Sequence, residues 1–469
     1  MSLDKNNVNP SSATVREKLG SRLGFILLSA GCAIGIGNVW KFPYIAGQNG
    51  GGAFVIIYLF FLAILGVPIL TMEFSLGRAA KKSPVKMYDV LAPKDKRWKL
   101  HGYASMAGNY LLMMFYTTVA GWMLRYFVST ATGKLSGIDA AAINGEFTAM
   151  LSDPISSVIY MTVVIVIGFT VCSFSLQRGL ERVTKYMMLI LLGIMVVLAV
   201  NSVVGDKSGE GLRFYLLPDF DRMAEVGIGN VIVNAMNQSF FTLSLGIGSM
   251  AIFGSYIGEE HSLMGEAVNV ALLDTFVALS SGLIIFPACF TYGISVGSGP
   301  SLIFKTLPNI FNNMVAGRIL GSLFFIFMSF AAFSTVFAVF ENINSCTADL
   351  FGWSKKKCSL VNCIIMFALS LPCALGSSLL AFVKPFGEGS TIMDLEDFAV
   401  SNILLPLGSL VFIIFCVSRR AWGWNNFTRE ANKGRGLKIQ NWMRGYMTYV
   451  LPLIVIALFI IGIVKFFMK

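Results

Sequence analysis

Long apolar segments recur along the whole chain, and short polar stretches separate them. A helix of about 20 apolar residues is long enough to cross a bilayer. The pattern therefore predicts an all-α polytopic membrane protein with about eleven spans. We place these spans at 22–46, 52–77, 102–131, 154–174, 180–204, 229–256, 263–293, 319–351, 359–382, 394–418 and 444–467.

The segments between the spans predict the domain organisation. Outside the membrane we expect a basic linker (79–100), two outer loops (133–153 and 205–228) and an amphipathic outer helix within 298–317. The spans themselves divide into two five-helix repeats and one extra C-terminal helix. The expected divisions are 1–21 (cytoplasmic segment), 22–204 (repeat 1, helices 1–5), 205–228 (outer loop), 229–418 (repeat 2, helices 6–10), 419–443 (cytoplasmic loop) and 444–469 (helix 11).

Composition supports the membrane assignment and excludes other classes. Of the 469 residues, 55% are hydrophobic and only 13% are charged, which is about half the charged share of a soluble protein. Soluble enzymes, secreted scaffolds and disordered proteins are thereby excluded. The two histidines and eight cysteines show no metal-ligand spacing, and no nucleophile elbow or phosphate-binding loop occurs, so we do not expect an enzyme.

The net charge of +11 is distributed as in a membrane protein. Basic residues concentrate before the first span, in 79–100, between the fourth and fifth spans (178–185), between the eighth and ninth (355–357) and in 419–443, whereas the alternate loops contain few. This positive-inside pattern predicts a cytoplasmic N-terminus and, with an odd number of spans, an external C-terminus. The basic segments would contact lipid headgroups, and we expect no nucleic-acid partner. Short loops are typical of a bacterial protein, hence of the inner membrane.

Two spans are interrupted by glycine at comparable places in the two halves. The first contains Gly31, Gly35 and Gly37, and the sixth contains Gly246 and Gly248. Glycine loosens a helix, and paired interruptions indicate discontinuous helices in an inverted repeat. The alternative is close helix packing through small residues. Polar residues beside both interruptions favour the broken helices.

A broken helix inside a bilayer needs partners for its freed backbone groups. Carbonyl and hydroxyl oxygens with few carboxylates suit a hard monovalent cation, so sodium is the expected ion. The candidate oxygens belong to Gly31, Ala33, Ile34, Asn38, Thr242 and Ser244. Ionisable residues within spans are also functional candidates because burying them is costly. These are Glu73, Asp274, Glu341 and Asp397.

Several motifs together resemble the neurotransmitter:sodium symporters, and in particular bacterial amino-acid transporters such as the leucine transporter. The resemblance covers almost the whole chain. Its most specific parts are GFILLSAGCAIGIGNVWKFPYIAGQNGGGAF (Gly24–Phe54), FYTTVAGW (Phe115–Trp122), QSFFTLSLGIG (Gln238–Gly248), FAAFSTVFAVFE (330–341) and MDLEDF (Met393–Phe398).

The resemblance implies two sodium sites that hydroxyl and carbonyl oxygens build. By themselves, the adjacent hydroxyls of Ser334 and Thr335 could equally bond back to their own helix. The first implied site, which the substrate carboxylate completes, comprises Ala33, Asn38, Thr242 and Asp274. The second comprises Gly31, Ile34, Ala331, Ser334 and Thr335.

The resemblance also implies an amino-acid substrate. Monoamine transporters of the family carry an aspartate in the first-helix break, where this chain has Gly35. The substrate carboxylate would meet the backbone of Ile36 and Gly37 and the hydroxyl of Tyr116. An apolar lining favours a neutral hydrophobic side chain. The implied pocket residues are Cys32, Ala33, Ile36, Gly37, Leu112, Tyr116, Phe241, Thr242, Ser244, Ile247, Thr335 and Val339.

Three positions depart from the family pattern. Asp274 and Ala278 stand where chloride-dependent members have asparagine and serine, so we expect no chloride requirement. Lys41 replaces an arginine of the outer gate, and lysine cannot form the bidentate pair. Cys32 replaces a serine or asparagine of bacterial relatives near the substrate amine.

Two gates are implied as well. Lys41 and Asp397 would close the outer gate beside Gln238, whereas Arg16 and Asp349 would close the inner one. The alternative for such a pair is a surface ion pair worth less than about 1 kcal/mol. The inner gate would be supported by Tyr256 and Glu341, and Glu73 would bond the unwound sixth span.

The sequence therefore predicts a sodium-coupled symporter for a neutral hydrophobic amino acid that works by alternating access. A sensor that binds substrate without accumulating it, or a channel on the same scaffold, is the alternative. The sequence does not indicate which amino acid is carried, how many ions move per cycle, or the oligomeric state.

Overall fold

The computed structural model describes residues 17–204, 208–293, 302–312, 314 and 316–467. Within these ranges the chain is helical and forms no β-strand, which confirms the all-α prediction. The helices are α1 (Arg22–Ala33), α2 (Gly37–Gln48), α3 (Gly52–Ala80), α4 (Pro84–Leu91), α5 (Lys96–Ala131), α6 (Ala140–Ser152), α7 (Pro154–Ser173), α8 (Gln177–Val203), α9 (Ser208–Leu216), α10 (Phe220–Val226), α11 (Ile228–Thr242), α12 (Ser249–Gly254), α13 (Leu263–Thr291), α14 (Leu302–Thr306 with Leu307–Asn312), α15 (Gly317–Phe351), α16 (Lys355–Leu375), α17 (Ile392–Val417), α18 (Trp424–Ala431) and α19 (Met443–Val464).

Length and hydropathy identify nine helices in the described chain that can cross a membrane. The pair α1 and α2 counts as a tenth span, because the two helices meet at an angle of 58° across a short break. The predicted span 229–256 divides into α11 and α12, and both are too short to be counted alone. The predicted number of eleven is therefore not reached by this criterion.

One predicted boundary is wrong. The apolar run 359–382 is helical only to Leu375, where α16 ends, and 376–382 form turns. Gly376 and the serines after it are poor helix formers, so the helix ends although the apolar run continues.

Several of the segments between the spans contain short helices. The predicted outer loops contain α6, α9 and α10, and the basic linker contains α4. Within the predicted amphipathic segment, α14 buries Ile303, Phe304, Leu307 and Ile310, and the Phe304 ring stacks on Phe147 of α6.

Helix α15 forms the centre of the bundle, and 83% of its most apolar 18-residue segment is buried. Helices α1, α5 and α8 pack against it. Helix α1 also packs against α13, so the first broken helix lies between α13 and α15, the two long helices of the second half. This arrangement brings the polar residues of both halves together at the two helix breaks.

Candidate functional site

The break between α1 and α2 leaves backbone groups that side chains then satisfy. The Tyr116 hydroxyl accepts a hydrogen bond from the Ile36 amide at 3.1 Å. Asn38 Oδ1 accepts another from the Gly35 amide at 3.2 Å. Unpaired backbone groups inside a membrane are costly, so Tyr116 and Asn38 stabilise the unwound segment directly.

Asn38, Thr242 and Asp274 form a buried cluster at the meeting point of three helices. Asn38 Nδ2 donates to Asp274 Oδ1 at 2.7 Å and to Thr242 Oγ1 at 3.0 Å. Thr242 Oγ1 donates to Asp274 Oδ2 at 2.9 Å. All three side chains are at most 1% exposed. One carboxylate surrounded by neutral oxygens provides the charge and the donor atoms that a sodium ion requires.

A second group of oxygens lies where α15 faces the end of α1. Ser334 Oγ donates to the carbonyl of Ile34 at 3.0 Å and to that of Ala331 at 2.8 Å. Thr335 Oγ1 lies 3.5 Å from the carbonyl oxygens of Gly31 and Ile34. The five residues of the second predicted sodium site are therefore neighbours. Each hydroxyl also has lone pairs, so an ion could replace its hydrogen bonds.

The break between α11 and α12 is supported from two other helices. Glu73 Oε1 on α3 accepts a hydrogen bond from the Gly246 amide at 2.6 Å. Asn109 on α5 donates to the Ile247 carbonyl at 2.8 Å and accepts from the Ser249 hydroxyl at 2.9 Å. Sequence reasoning identified Glu73 but not Asn109. The isolated asparagine in an apolar span was the available signal.

Between the two breaks lies a small cavity of about 30 Å³. Most of the predicted pocket residues line it, and it includes no carboxylate. The lining residues are Ala33, Gly35, Gly37, Asn38, Leu112, Tyr116, Phe241, Thr242, Ser244, Ile247, Thr335, Val400 and Leu405.

Three predicted pocket residues do not line this cavity. Val339 is fully buried one turn further along α15 than Thr335. Ile36 and Cys32 form hydrogen bonds with pocket residues through their backbone. The Ile36 amide donates to the Tyr116 hydroxyl, and the Cys32 carbonyl accepts a hydrogen bond from Ser244 Oγ at 3.4 Å. Conversely, Val400 and Leu405 of α17 were missed, because an apolar residue in an apolar span carries no local signal.

The predicted outer-gate residues line a second cavity of about 220 Å³ directly above the first. Gln238 lines the same cavity, and its side-chain amide has no hydrogen-bond partner in the described chain. Among the described residues no ion pair joins Lys41 and Asp397. Instead Lys41 Nζ lies 3.8 Å from the centroid of the Phe241 ring, and Asp397 accepts a hydrogen bond from Ser401 at 2.8 Å.

Three of the predicted inner-gate residues, Asp349, Tyr256 and Glu341, line a cavity of about 350 Å³ at the opposite end. Tyr256 donates to Glu341 at 2.8 Å, and Lys355 Nζ lies 3.2 Å from the same carboxylate oxygen. Asp349 accepts from the Ser83 amide at 2.8 Å. Arg16, the predicted partner of Asp349, lies outside the described residues.

Lys355 and Lys82 contact the predicted inner-gate residues, and sequence reasoning missed both. Lys82 Nζ lies 3.7 Å from Asp349, and both lysines line the inner cavity. The basic runs that contain them indicated topology alone, so their side-chain contacts were not foreseen.

The described residues include no cluster of three histidine, cysteine or carboxylate side chains suited to a bound metal. The two oxygen groups at the helix breaks are of a different kind, because each contains at most one carboxylate. Such groups favour a monovalent cation over calcium, which takes more acidic ligands.

Comparison with known proteins identifies the family. The model of the sodium:neurotransmitter symporter family matches residues 16–144 and 146–469. The chain therefore belongs to this family, as its motifs predicted. It is a membrane transporter coupled to sodium rather than an enzyme.

Two relatives and one solved structure cover nearly the whole chain. An uncharacterized sodium-dependent transporter of Bacillus subtilis (YhdH) is 33% identical over 450 residues, covering 95% of this chain and 98% of the relative. One of Haemophilus influenzae is 29% identical over 460 residues, covering 95% and 98%. The crystal structure of MhsT in complex with L-phenylalanine is similar with a TM-score of 0.85 and 33% identity, covering 95% of this chain and all of that one. More distant relatives, at 22% to 24% identity, include sodium- and chloride-dependent transporters.

Proposed function

We propose that this protein imports a neutral hydrophobic amino acid together with two sodium ions, without a chloride requirement. The observation that carries the proposal is the position of the small cavity between the two groups of oxygens. The cavity contacts Asn38 and Thr242 of the first group and Thr335 of the second. A substrate bound there would contact both ions' sites at once, and this is the basis of coupled transport.

The amino-acid assignment rests on charge and shape. No aspartate lines the cavity to attract an amine, and an added side chain at Gly35 would meet the Tyr116 hydroxyl and Thr335 Oγ1. A substrate carboxylate can therefore reach the unwound backbone, Tyr116 and the first ion. Leu112, Ile247, Val400 and Leu405 supply apolar walls, which favour a hydrophobic side chain. The solved relative MhsT, crystallised with L-phenylalanine, is consistent with this class.

Transport would proceed by alternating access. Substrate and sodium bind from the side of the 220 Å³ cavity, Lys41 and Asp397 close above them, and the contacts of Asp349, Tyr256 and Glu341 open at the other end. Release of the second ion frees α1, because the ion then no longer links the α1 carbonyls to α15. Only the contacts of the Ser334 and Thr335 hydroxyls with these carbonyls remain. Coupling follows from the different affinities of the two states. We place the N-terminus in the cytoplasm and the C-terminus outside the inner membrane, and we assign 22–204 and 229–418 to the two repeats.

The test of sodium coupling is uptake into proteoliposomes that have either an inward sodium gradient or potassium in its place. We expect concentrative uptake of single labelled leucine-like or aromatic amino acids with sodium only. Asn38→Ala and Thr335→Ala should abolish sodium-dependent substrate binding, because each removes an oxygen ligand. Wild-type affinity at low sodium in both variants would refute the site assignment. Binding without accumulation would indicate a sensor.

Chloride independence has its own test. Asp274 supplies a fixed negative charge beside Asn38 and Thr242, so replacing chloride by gluconate should leave uptake unchanged. Asp274→Asn removes that charge and should lower sodium-dependent uptake at least tenfold. Ala278, the neighbour at which chloride-dependent members have serine, provides the control variant Ala278→Ser, which should keep activity. A loss of wild-type uptake in gluconate would contradict the proposal.

A further inference from the structure

A cleft of about 600 Å³ runs along the outside of the bundle between α5 and α17. Leu100 and Leu407, which line it, are exposed on the surface of membrane-spanning helices. The cleft therefore opens toward the space that lipid occupies, and it is separate from the substrate cavity and from both gates. Its position on the surface requires a ligand that can enter from the bilayer.

The mouth of the cleft is basic. Arg97 and Arg420 line it from the two helices' ends. Asp95 also lines the mouth and pairs with Arg97, since its oxygens lie 3.0 Å from Arg97 Nε and Nη2. Arg420 has no carboxylate partner among the described ion pairs, so the mouth has a net positive charge. An anionic group is the matching ligand chemistry.

Both walls of the cleft are apolar over successive helical turns. Leu404, Leu407 and Val411 of α17 recur at spacings of three and four and so share one face of the helix. Leu100 and Ala104 of α5 form the opposite wall. A hydrocarbon chain lying between these walls would bury apolar surface on both sides.

Three polar atoms that line the cleft have no hydrogen-bond partner in the part of the chain that is described, and one of them is Trp98 Nε1. Ser105 is 3% exposed, and its hydroxyl is unpaired. His101 Nε2 is also unpaired, whereas its Nδ1 lies 2.7 Å from the Tyr88 hydroxyl. A buried polar group without a partner is destabilising by about 1–3 kcal/mol. His101 and Ser105 lie one turn apart on α5, so one ligand can contact both.

The inner end of the cleft reaches the broken sixth span. Gly246 and Ile247 close it there. Ile247 also lines the substrate cavity, and the Gly246 amide is held by Glu73. A ligand that fills the cleft would therefore press against the segment whose other face forms the substrate site.

We propose that this cleft binds one anionic phospholipid. Its phosphate lies at Arg97 and Arg420, its ester oxygens accept hydrogen bonds from His101 and Ser105, and one acyl chain lies along α17 as far as Gly246. Basic pockets between membrane helices are known to select anionic headgroups. A bilayer also supplies this ligand at the place where the cleft opens. Lipid binding itself does not depend on the proposed transport function.

The test measures phospholipid retention by native mass spectrometry of the purified protein, using added phosphatidylglycerol and phosphatidylcholine. We expect wild-type protein to retain one phosphatidylglycerol in preference to phosphatidylcholine. Arg97→Gln with Arg420→Gln should weaken that retention about thirtyfold, since each basic group strengthens the attraction of an anionic headgroup about fivefold. The matched control is Lys96→Gln with Arg419→Gln, which removes the same charge from neighbouring exposed positions that do not line the cleft.

A steric pair tests the acyl-chain part independently. Ala104→Trp would fill the cleft and should abolish retention, whereas Ala107→Trp, exposed on the same helix but outside the lining, should not. Monodispersity of each variant checks that it folds. Equal retention of the two lipids by the wild type, or equal effects in both variant pairs, would overturn the proposal.

The effect on transport is a separate readout that rests on the proposed function. In phosphatidylglycerol nanodiscs we expect several-fold tighter sodium-dependent amino-acid binding than in phosphatidylcholine, and Ala104→Trp should remove the difference. If wild-type protein binds no amino acid in either lipid, the proposed function fails while lipid retention still decides the cleft. Retention with identical amino-acid affinity in both lipids would overturn the coupling to Gly246 and Ile247.

Discussion

Asn38 connects the two broken helices through a single side chain. Its amide oxygen accepts from the Gly35 backbone of the first break, and its amide nitrogen donates to Thr242 and Asp274 of the second half. An amide is suited to this position because it has both donors and acceptors on a short stem. A sodium ion between these groups would use the oxygen and would leave the donor bond to Asp274 intact.

Arg78 is a charged residue whose importance the sequence did not reveal. It is fully buried at the end of α3, 2.8 Å from Glu430 Oε1 on α18. It also donates to the His261 carbonyl at 2.8 Å and to the Glu430 carbonyl. In the sequence it is only one member of a basic segment. In the fold it ties α3, α18 and the segment before α13 together.

We therefore predict that Arg78→Met strongly destabilises the protein, because it leaves Glu430 Oε1 and the carbonyls of Gly258, His261 and Glu430 without their buried donor. Breaking a buried pair by removing one partner costs about 3–5 kcal/mol. The measurement is thermal unfolding in detergent. Lys384→Met is the control, since Lys384 pairs with Glu388 in an exposed i,i+4 arrangement that is worth at most about 1 kcal/mol. Equal melting temperatures for the two variants would contradict the prediction.

Among the elements, the sixth span shows how an unwound segment is held. Ser244, Gly246 and Gly248 all have positive φ angles, which glycine adopts without strain. The segment is then fixed by Glu73 and Asn109 from two different helices. It is therefore an ordered part of the site rather than a loose hinge.

Gly246→Ala tests this element directly. The φ of Gly246 is +97°, and an added Cβ would collide with the Leu405 carbonyl and lie 2.9 Å from Ser409 Oγ. We expect sodium-dependent substrate binding to fall at least tenfold, because α11 and α12 would have to move away from α17. Gly229→Ala in α11 is the control, since nothing lies within 4 Å of its added Cβ. Wild-type binding by Gly246→Ala would show that the segment tolerates displacement.

On the scale of the whole molecule, the site lies between two cavities at opposite ends. The outer one contains Lys41 and Asp397, and the inner one contains Asp349, Glu341 and Lys355. The 30 Å³ cavity lies between them. A carrier needs such a closed centre with an access route on each side, whereas a channel needs a continuous polar pore.

Sodium removal should shift accessibility from one cavity to the other. We predict that replacing sodium by potassium speeds maleimide labelling of Ala348→Cys in the inner cavity several-fold. Labelling of Asn234→Cys in the outer cavity should slow at the same time. The reason is that bound sodium holds α1 against Ser334 and Thr335. Parallel changes at both cysteines would indicate general loosening instead of alternating access, and native protein supplies the labelling background.

The sequence by itself determined the all-α membrane-spanning class, the two breaks and the polar residues beside them. Hydropathy and glycine preference are local properties, so Gly35, Gly246 and Asp274 were identifiable without coordinates. The family motifs also assigned roles to Asn38 and Thr335. The structure places these residues together.

Only the tertiary structure decided which distant residues meet. Val400 and Leu405 line the cavity because α17 packs beside helices that are far from it in sequence. Lys355 bonds Glu341 because the turn after α15 brings the start of α16 back against it. The tertiary structure also decided that Lys41 lies over the Phe241 ring and is not paired with Asp397. Such contacts depend on helix orientation, which no periodicity within a single span specifies.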